Sequence, residues 1–383
     1  MTKKTYIFTG IVIIILIVAV LVAVYFSRGP VVPDPQPQPQ AIGMNDDQGN
    51  ERSYTVETWA TNLNTPWGMV FIDDDTMLVT ERSGTIRLVQ NGEVRDEPYI
   101  SIADVDERGE GGLMGIDIHP EFPDTLYVYV MYTSSTDNRI VRLRHDPETM
   151  TAEIDRVILD GLDKARNHNG GRIAFGPDGY LYATTGEQFR AERSQDINSL
   201  SGKILRITDD GAMPSDNPFD NAVYSYGHRN AQGITWDDEG NMFASEHGPS
   251  GEFGIFAHDE VNHIVKGGNY GWPRVVGQAG DDRYIDPLIV WTDTAVPPAG
   301  MDIVDNRIYV ATLRSRALLM LSYDDEMTIT SLQTIFEGEI TEGGYGRLRD
   351  VVYHNGALYV ATSNTDGRGT PDSLDDRILK ITW

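Results

Sequence analysis

Between Tyr54 and the C-terminus one pattern of apolar and polar positions recurs six times: a short apolar strand, a turn rich in Asp, Asn or Gly, then an aromatic or β-branched strand. The copies are Gly68-Met69-Val70-Phe71 with Met77-Leu78-Val79-Thr80, Gly115-Ile116-Asp117-Ile118 with Leu126-Tyr127-Val128-Tyr129, and Arg172-Ile173-Ala174-Phe175 with Tyr180-Leu181-Tyr182-Ala183. Then come Gly233-Ile234-Thr235-Trp236 with Asn241-Met242-Phe243-Ala244, Gly300-Met301-Asp302-Ile303 with Arg307-Ile308-Tyr309-Val310, and Asp350-Val351-Val352-Tyr353 with Leu358-Tyr359-Val360-Ala361. Third strands follow several copies, at Thr85-Ile86-Arg87-Leu88-Val89, Arg139-Ile140-Val141-Arg142-Leu143, Lys203-Ile204-Leu205-Arg206-Ile207 and Arg377-Ile378-Leu379-Lys380-Ile381. Copies start roughly 47 to 67 residues apart, a little more than the usual length of one propeller blade, and long loops between blades account for the excess. The pattern predicts an all-β fold, a six-bladed β-propeller of four-stranded blades. A β-sandwich or a pair of stacked barrels shares the alternation but does not call for sixfold recurrence.

A propeller gathers its variable loops on one face around a central channel, so the residues just before each first strand become the candidates for chemistry. Those loops are Gly109-Glu110-Gly111-Gly112, Asn167-His168-Asn169, Gly227-His228-Arg229-Asn230, Thr292-Asp293-Thr294 and Tyr345-Gly346-Arg347-Leu348-Arg349, with Glu246-His247-Gly248-Pro249 beside them. His168 opens a strand, turn and return strand that ends in Glu187, which lets imidazole and carboxylate meet. Arg347 and Arg349, two apart on an extended segment, point the same way and suit a carboxylated ligand through forked, charge-assisted bonds. With Arg229 and Arg314 they make a cationic pocket in an acidic protein. The plain alternative for each arginine is a surface ion pair, and for His228 and His247 a bond to a backbone carbonyl. For His168 the residues alone leave the structural and catalytic readings open.

Upstream, Ile7 to Phe26 form an apolar run of about 20 residues, the length that spans a bilayer, preceded by Lys3 and Lys4 and followed by Arg28. This predicts an N-terminal transmembrane helix, a signal-anchor over residues 1–28 with its N-terminus in the cytoplasm. A cleavable secretory signal is the rival reading. A Pro/Gln-rich linker over residues 29–53 then holds the propeller domain, residues 54–383, off the membrane. The expected location is therefore membrane-anchored with the catalytic domain extracytoplasmic, or secreted if the segment is cleaved. The chain has no cysteine, which removes disulfides and thiolate metal sites. Its net charge of −27 argues against nucleic acid and against flat association with anionic lipid.

Seven segments together carry a resemblance: LNTPWGM at 63–69, GEGGLMGIDIHPEF at 109–122, NHNGGRIAFGPDGYLYATTGE at 167–187, GHRNAQG at 227–233, EHGP at 246–249, KGGNYGWP at 266–273 and GRLRDV at 346–351. Over roughly residues 54–383 the chain resembles the soluble pyrroloquinoline-quinone-dependent sugar dehydrogenases, the family of soluble glucose dehydrogenase and aldose sugar dehydrogenase. The resemblance implies a quinoprotein oxidoreductase that oxidises the anomeric hydroxyl of aldose sugars to lactones, with pyrroloquinoline quinone (PQQ) and calcium as cofactors and an external electron acceptor. It makes His168 the general base, Glu187 its acidic partner and Arg229 the group that polarises the reacting quinone carbonyl. It puts Glu110, Asn230, Thr294, Arg314, Arg347 and Arg349 at cofactor-binding positions, the carbonyls of Gly248 and Pro249 at calcium, and a second calcium position near Glu260 and Tyr270.

This chain also departs from the family pattern. Glu110 stands where glutamine is found in the glucose enzyme, Arg314 replaces a lysine, Thr294 lies one residue further from Trp291, and an insertion follows Pro249. A Glu110 carboxylate beside an anionic cofactor is unfavourable unless it is protonated or paired. The alternatives are a non-enzymatic sugar- or protein-binding propeller and a calcium-dependent lactonase, which needs carboxylate and Asn side chains around calcium instead of an arginine cluster.

Overall fold

The structure, a computed structural model, describes residues 40–45 and 51–383. The apolar run at residues 7–26 lies outside the described residues, and among those described no helix is long and apolar enough to cross a membrane. Strands dominate because the apolar positions alternate and are rich in Val, Ile, Tyr and Thr, which pack well on a pleated surface. They assemble into six sheets.

The innermost strands are Pro66–Phe71, Leu113–Ile118, Ile173–Phe175, Ala231–Trp236, Pro298–Val304 and Leu348–His354, each beginning within a few residues of an expected first strand. Each packs against the next around the ring, and Leu348–His354 packs back against Pro66–Phe71, so the ring is closed. Every innermost strand is hydrogen-bonded to an antiparallel second strand: Thr76–Glu81, Tyr127–Thr133, Leu181–Thr185, Met242–Glu246, Arg307–Thr312 and Ala357–Thr362. Thr76–Glu81, Leu181–Thr185, Met242–Glu246 and Ala357–Thr362 are buried along their whole length, because neighbouring blades cover both faces. One core cluster accordingly takes Trp67 from the first blade, Met114, Tyr129 and Ile140 from the second, and Ile173, Leu181 and Leu205 from the third.

Four of the sheets are four-stranded, as expected, and the first blade and the closing one have five strands. The closing blade joins the two ends of the propeller. Glu51–Ala60 pairs antiparallel with Ile378–Thr382, setting Val56 opposite Ile381 and Ala60 opposite Ile378. Gln40–Asn45 adds one more strand outside Glu51–Ala60. The sheet therefore starts upstream of Tyr54 and takes in residues assigned to the linker, because a backbone edge pairs with any residues that have free N–H and C=O groups and needs no apolar alternation.

Carboxylates on innermost strands fasten blade to blade. Asp117 accepts from the backbone N–H of Phe175 (2.7 Å) and Asp302 from that of Tyr353 (2.7 Å), while Asp350 accepts from that of Met69 (3.0 Å) across the seam of the ring. Burial pushes Asp117 and Asp302 up to about 6, and the backbone N–H groups oppose that rise. Because a buried backbone donor without a partner is costly, truncating such a bridge should be felt directly. Asp302→Ala, which strips acceptors from Tyr353 N–H, Ile303 N–H and the Thr235 hydroxyl, is expected to lose about 2–4 kcal/mol in urea unfolding. Asp302→Asn, which keeps one acceptor oxygen, should lose less. A change within about 0.5 kcal/mol for the alanine variant would show that the bridge does not hold the blades together.

Candidate active site

Antiparallel pairing puts the start of an innermost strand and the end of its second strand at the same rim, and the candidate residues sit there. His168 precedes Ile173–Phe175 and Glu187 follows Leu181–Thr185; Arg229 and Asn230 precede Ala231–Trp236 and His247 follows Met242–Glu246. Glu110 precedes Leu113–Ile118, and Arg347 and Arg349 flank the first residue of Leu348–His354. His168 adopts a left-handed backbone (φ 60°), and a Cβ on Gly186 would lie 2.0 Å from its carbonyl oxygen. Only glycine at 186 lets the return strand approach closely enough for Glu187 to reach the imidazole.

The contacts of His168 define its protonation. Its Nδ1 is hydrogen-bonded to Glu187 Oε1, and its Nε2 lies 3.0 Å from Arg229 Nη2. A guanidinium has donors only, so Nε2 must be the acceptor, and the ring proton is on Nδ1, donated to the carboxylate. His168 and Glu187 are both buried, and Phe189 lays its ring against the imidazole with centroids 4.4 Å apart. Arg229 is fixed from several sides. Its backbone N–H donates to Glu246, its Nη1 donates to the His247 carbonyl (3.1 Å), and its Nη2 also donates to Glu252 Oε1 (2.6 Å). Behind it a fully buried His228 bridges Glu246 (2.9 Å) and Ser225 (2.8 Å), so His228 has a structural task.

Glu110 is paired. Its carboxylate accepts from the His168 backbone N–H (3.1 Å) and from Asn230 Nδ2 (3.5 Å), and Arg368 lies 3.4 Å from the other oxygen. Burial works against its ionisation, yet its carboxyl sits below the ordinary range, held there by the His168 backbone N–H and the Arg368 guanidinium. This answers the electrostatic objection to an acid at position 110. His247 is pushed down to about 3, chiefly by burial and then by Arg349, Arg229 and His168, against the opposing pull of Glu110, so it is neutral at ordinary pH. Arg349 donates to Gln232 Oε1 (2.7 Å) and is pushed down to about 9, first by burial and then by Arg347 and Arg82, with Asp366 opposing. Arg347 makes a forked pair with Asp366 (3.0 and 2.8 Å).

Glu110, His168, Phe189, Arg229, His247, Glu252 and Arg368 border one cleft of about 490 Å³. Thr294 and Arg314 are exposed, and neither makes a hydrogen bond or ion pair with these residues. Gly248, Pro249, Glu260 and Tyr270 border a small neighbouring cavity together with Glu246 and His258. There the Tyr270 hydroxyl is already engaged by the His263 carbonyl (2.7 Å) and the Val265 N–H (2.8 Å). Burial and then Glu246 push the Glu260 carboxyl up to about 8, the condition of an acid that keeps either a proton or a cation beside it. Among the described residues no group of three or more His, Asp or Glu side chains is placed to hold a metal, so a cation here would depend largely on backbone oxygens. Glu252, Arg368 and Asp366 were not foreseen. Glu252 lies in the insertion after Pro249, and that departure from the family spacing was its one signal.

Arg229 Nε, Arg349 Nε and His247 Nε2 are buried without a protein hydrogen-bond partner. Such groups call for a ligand or ordered water, and two of them belong to guanidinium groups, which suit a flat polyanion. The residues present therefore fit a tricarboxylated quinone.

Residues 63–375 match the glucose/sorbosone dehydrogenase family. The chain is similar to a crystal structure from Thermus thermophilus described as an oxidoreductase (glucose dehydrogenase), at 46% identity and a TM-score of 0.80, covering 86% of this chain and 99% of that one. It is similar to the PQQ-bound form of an aldose sugar dehydrogenase from Streptomyces coelicolor, at 40% identity and a TM-score of 0.79, covering 86% and 98%. It is also 29% identical to an aldose sugar dehydrogenase of Escherichia coli strain K12, over 82% of this chain and 91% of the relative. With the matched segment running through five complete blades and two strands of the closing one, the chain belongs to the glucose/sorbosone dehydrogenase family.

Proposed function

We propose that the protein is a quinoprotein sugar dehydrogenase that oxidises the anomeric hydroxyl of an aldose to the lactone, with PQQ and calcium as cofactors and an external electron acceptor. The observation that carries this reading is the neutral His168, held by Glu187 at Nδ1 with its Nε2 lone pair on the Arg229 guanidinium at the edge of the cleft, where a bound substrate hydroxyl would take that guanidinium's place. Bound there, PQQ supplies the acceptor of a hydride from the sugar carbon. His168 Nε2 takes the hydroxyl proton, and Glu187 stabilises the imidazolium that forms. Arg229, itself buried, supplies positive charge where negative charge develops. Arg349, Arg347 and Asn230 bind and orient the carboxylated cofactor, and Phe189 covers the imidazole from solvent.

The binding-propeller alternative leaves these residues without a task, since simple recognition does not need a histidine of fixed tautomer. The calcium-lactonase alternative calls for an acidic cage, whereas the cleft carries arginines. For calcium, Gly248 and Pro249 offer carbonyl oxygens of the kind that a hard cation prefers, with Glu260 nearby. For location the proposal rests on the sequence alone: a membrane anchor at residues 1–28 with the propeller extracytoplasmic, or a secreted protein if that segment is cleaved.

Reconstitution with PQQ and calcium, followed by dye reduction with several aldoses, tests the reading; absence of both a cofactor spectrum and dye reduction would sink it. His168→Ala should lower kcat by about 100-fold or more while leaving cofactor affinity within about twofold by fluorescence titration, whereas Arg347→Ala should weaken the cofactor first. Equal loss of binding and turnover in His168→Ala would contradict its role as base.

Glu260 gives a test of calcium that needs no turnover. With its carboxyl at about 8 when folded, against an ordinary 4.5, the folded state holds the extra proton between those values, and stability in chelator falls as pH rises through that window. Calcium should therefore raise Tm more at about pH 8.5 than at about pH 6, and Glu260→Gln should flatten that difference. An unchanged calcium response in Glu260→Gln would put the cation elsewhere.

A further inference from the structure

The second blade carries another hollow, of about 600 Å³, on the far side of the Glu110 and His168 loops. Its wall includes Asp106, Arg108, Gly109, Lys164 and Arg166. In a chain of net charge −27 this concavity runs the other way, with three cations against one carboxylate. Asp106 takes Arg108 Nε at 2.9 Å and Lys164 Nζ at 3.1 Å, and Arg166 is exposed and makes no ion pair among the described residues. Just beyond, the charges balance more closely, with Asp163 paired to Arg190 and Arg193, and Glu107 to Arg82.

The hollow and the active-site cleft share a wall. The backbone N–H of Glu110 donates to the Arg166 carbonyl (2.8 Å), and Arg166 stands two residues before His168. A Cβ on Gly109 would lie 2.1 Å from that same carbonyl, so the two loops are clasped backbone to backbone. One face of the clasp presents Glu110 and His168 to the sugar site; the other presents Arg108 and Arg166 to solvent.

We propose that this hollow is the docking site of the external electron acceptor, and that the acceptor is a small anion carrying at least two negative charges. This rests on the dehydrogenase reading. Converting the anomeric C–H and O–H to a lactone carbonyl releases two electrons and two protons. A one-electron anionic acceptor takes the electrons in two encounters, and the protons leave to water. An acidic surface repels such an anion elsewhere, so a cationic concavity beside the redox centre focuses its approach and raises its on-rate. The hollow has the size of a small-molecule site and is too confined for a protein face.

The test uses the full chain with Arg108→Glu and Arg166→Glu combined, both at exposed side chains that take no part in the proposed chemistry. Ferrocyanide, a tetraanion that is already reduced, is titrated calorimetrically into protein loaded with PQQ and calcium, whose cofactor pocket is filled, at low and high salt. Ferricyanide and the cationic hexaammineruthenium(III) are then compared as acceptors for the reconstituted enzyme. Salt-sensitive ferrocyanide binding is expected in the wild type, at least tenfold weaker in the double variant. The variant should also lose at least tenfold in kcat/KM for ferricyanide, with kcat/KM for the ruthenium complex unchanged or higher and the sugar KM unchanged, which also shows that the variant is folded. No ferrocyanide binding by the wild type, equal binding by the variant, or an unchanged ferricyanide rate would each overturn the proposal. Turnover with the ruthenium complex but no ferrocyanide binding would remove the docking site and leave the dehydrogenase reading standing. Turnover with neither acceptor would sink that reading and this proposal together.

Discussion

The pairing of Glu51–Ala60 with Ile378–Thr382 is the constraint on which the site depends. The cleft is built from the second, third, fourth and last blades, and one of its ion pairs, Glu110 with Arg368, joins residues 258 positions apart. No local segment can hold such a constellation. Closing the ring fixes the last blade against the first, and the carboxylate bridges from Asp117, Asp302 and Asp350 then set neighbouring innermost strands against each other through backbone N–H groups. The chain-closure entropy is spread over the whole fold, while the benefit appears at one rim, where loops from distant blades meet with little freedom left.

At that rim the chemistry follows from donor and acceptor counts. Arg229 can only donate, so His168 can only accept at Nε2, so its proton belongs to Nδ1 and to Glu187. Arg229 owes its own position to Glu246, which His228 holds from behind. Acidic and basic side chains alternate through this region, and that alternation allows several arginines to be buried near one another in the absence of an anionic ligand. Arg349 shows how far the arrangement is pressed: burial takes its guanidinium down to about 9. A carboxylated ligand relieves that condition, which ties the cationic pocket to the class of cofactor it suits.

Much of the fold was legible because second strands such as Leu181–Thr185, buried along their whole length in four of the six blades, read as short apolar runs within a pattern that recurs six times. Gln40–Asn45 was not, since it follows a Pro/Gln-rich run and, as an added edge strand, has no place in the sixfold repeat. His168, Glu187, Arg229 and the Arg347/Arg349 pair were legible from their place at strand ends. Glu252 and Arg368 were not, because they sit in long loops whose paths obey no period. Thr294 and Arg314 show the converse: residues matched by motif position that the fold leaves exposed and outside the hydrogen-bonded network of the cleft.

The central claim is that His168 is held as a neutral base with its proton on Nδ1. Nitrogen-15 NMR of histidine-labelled, ligand-free protein at neutral pH, with His168→Gln used to assign the signal, measures this directly. The account predicts a protonated, pyrrole-type Nδ1 and an unprotonated, pyridine-type Nε2 for His168. A proton on Nε2, with Nδ1 unprotonated, would contradict it.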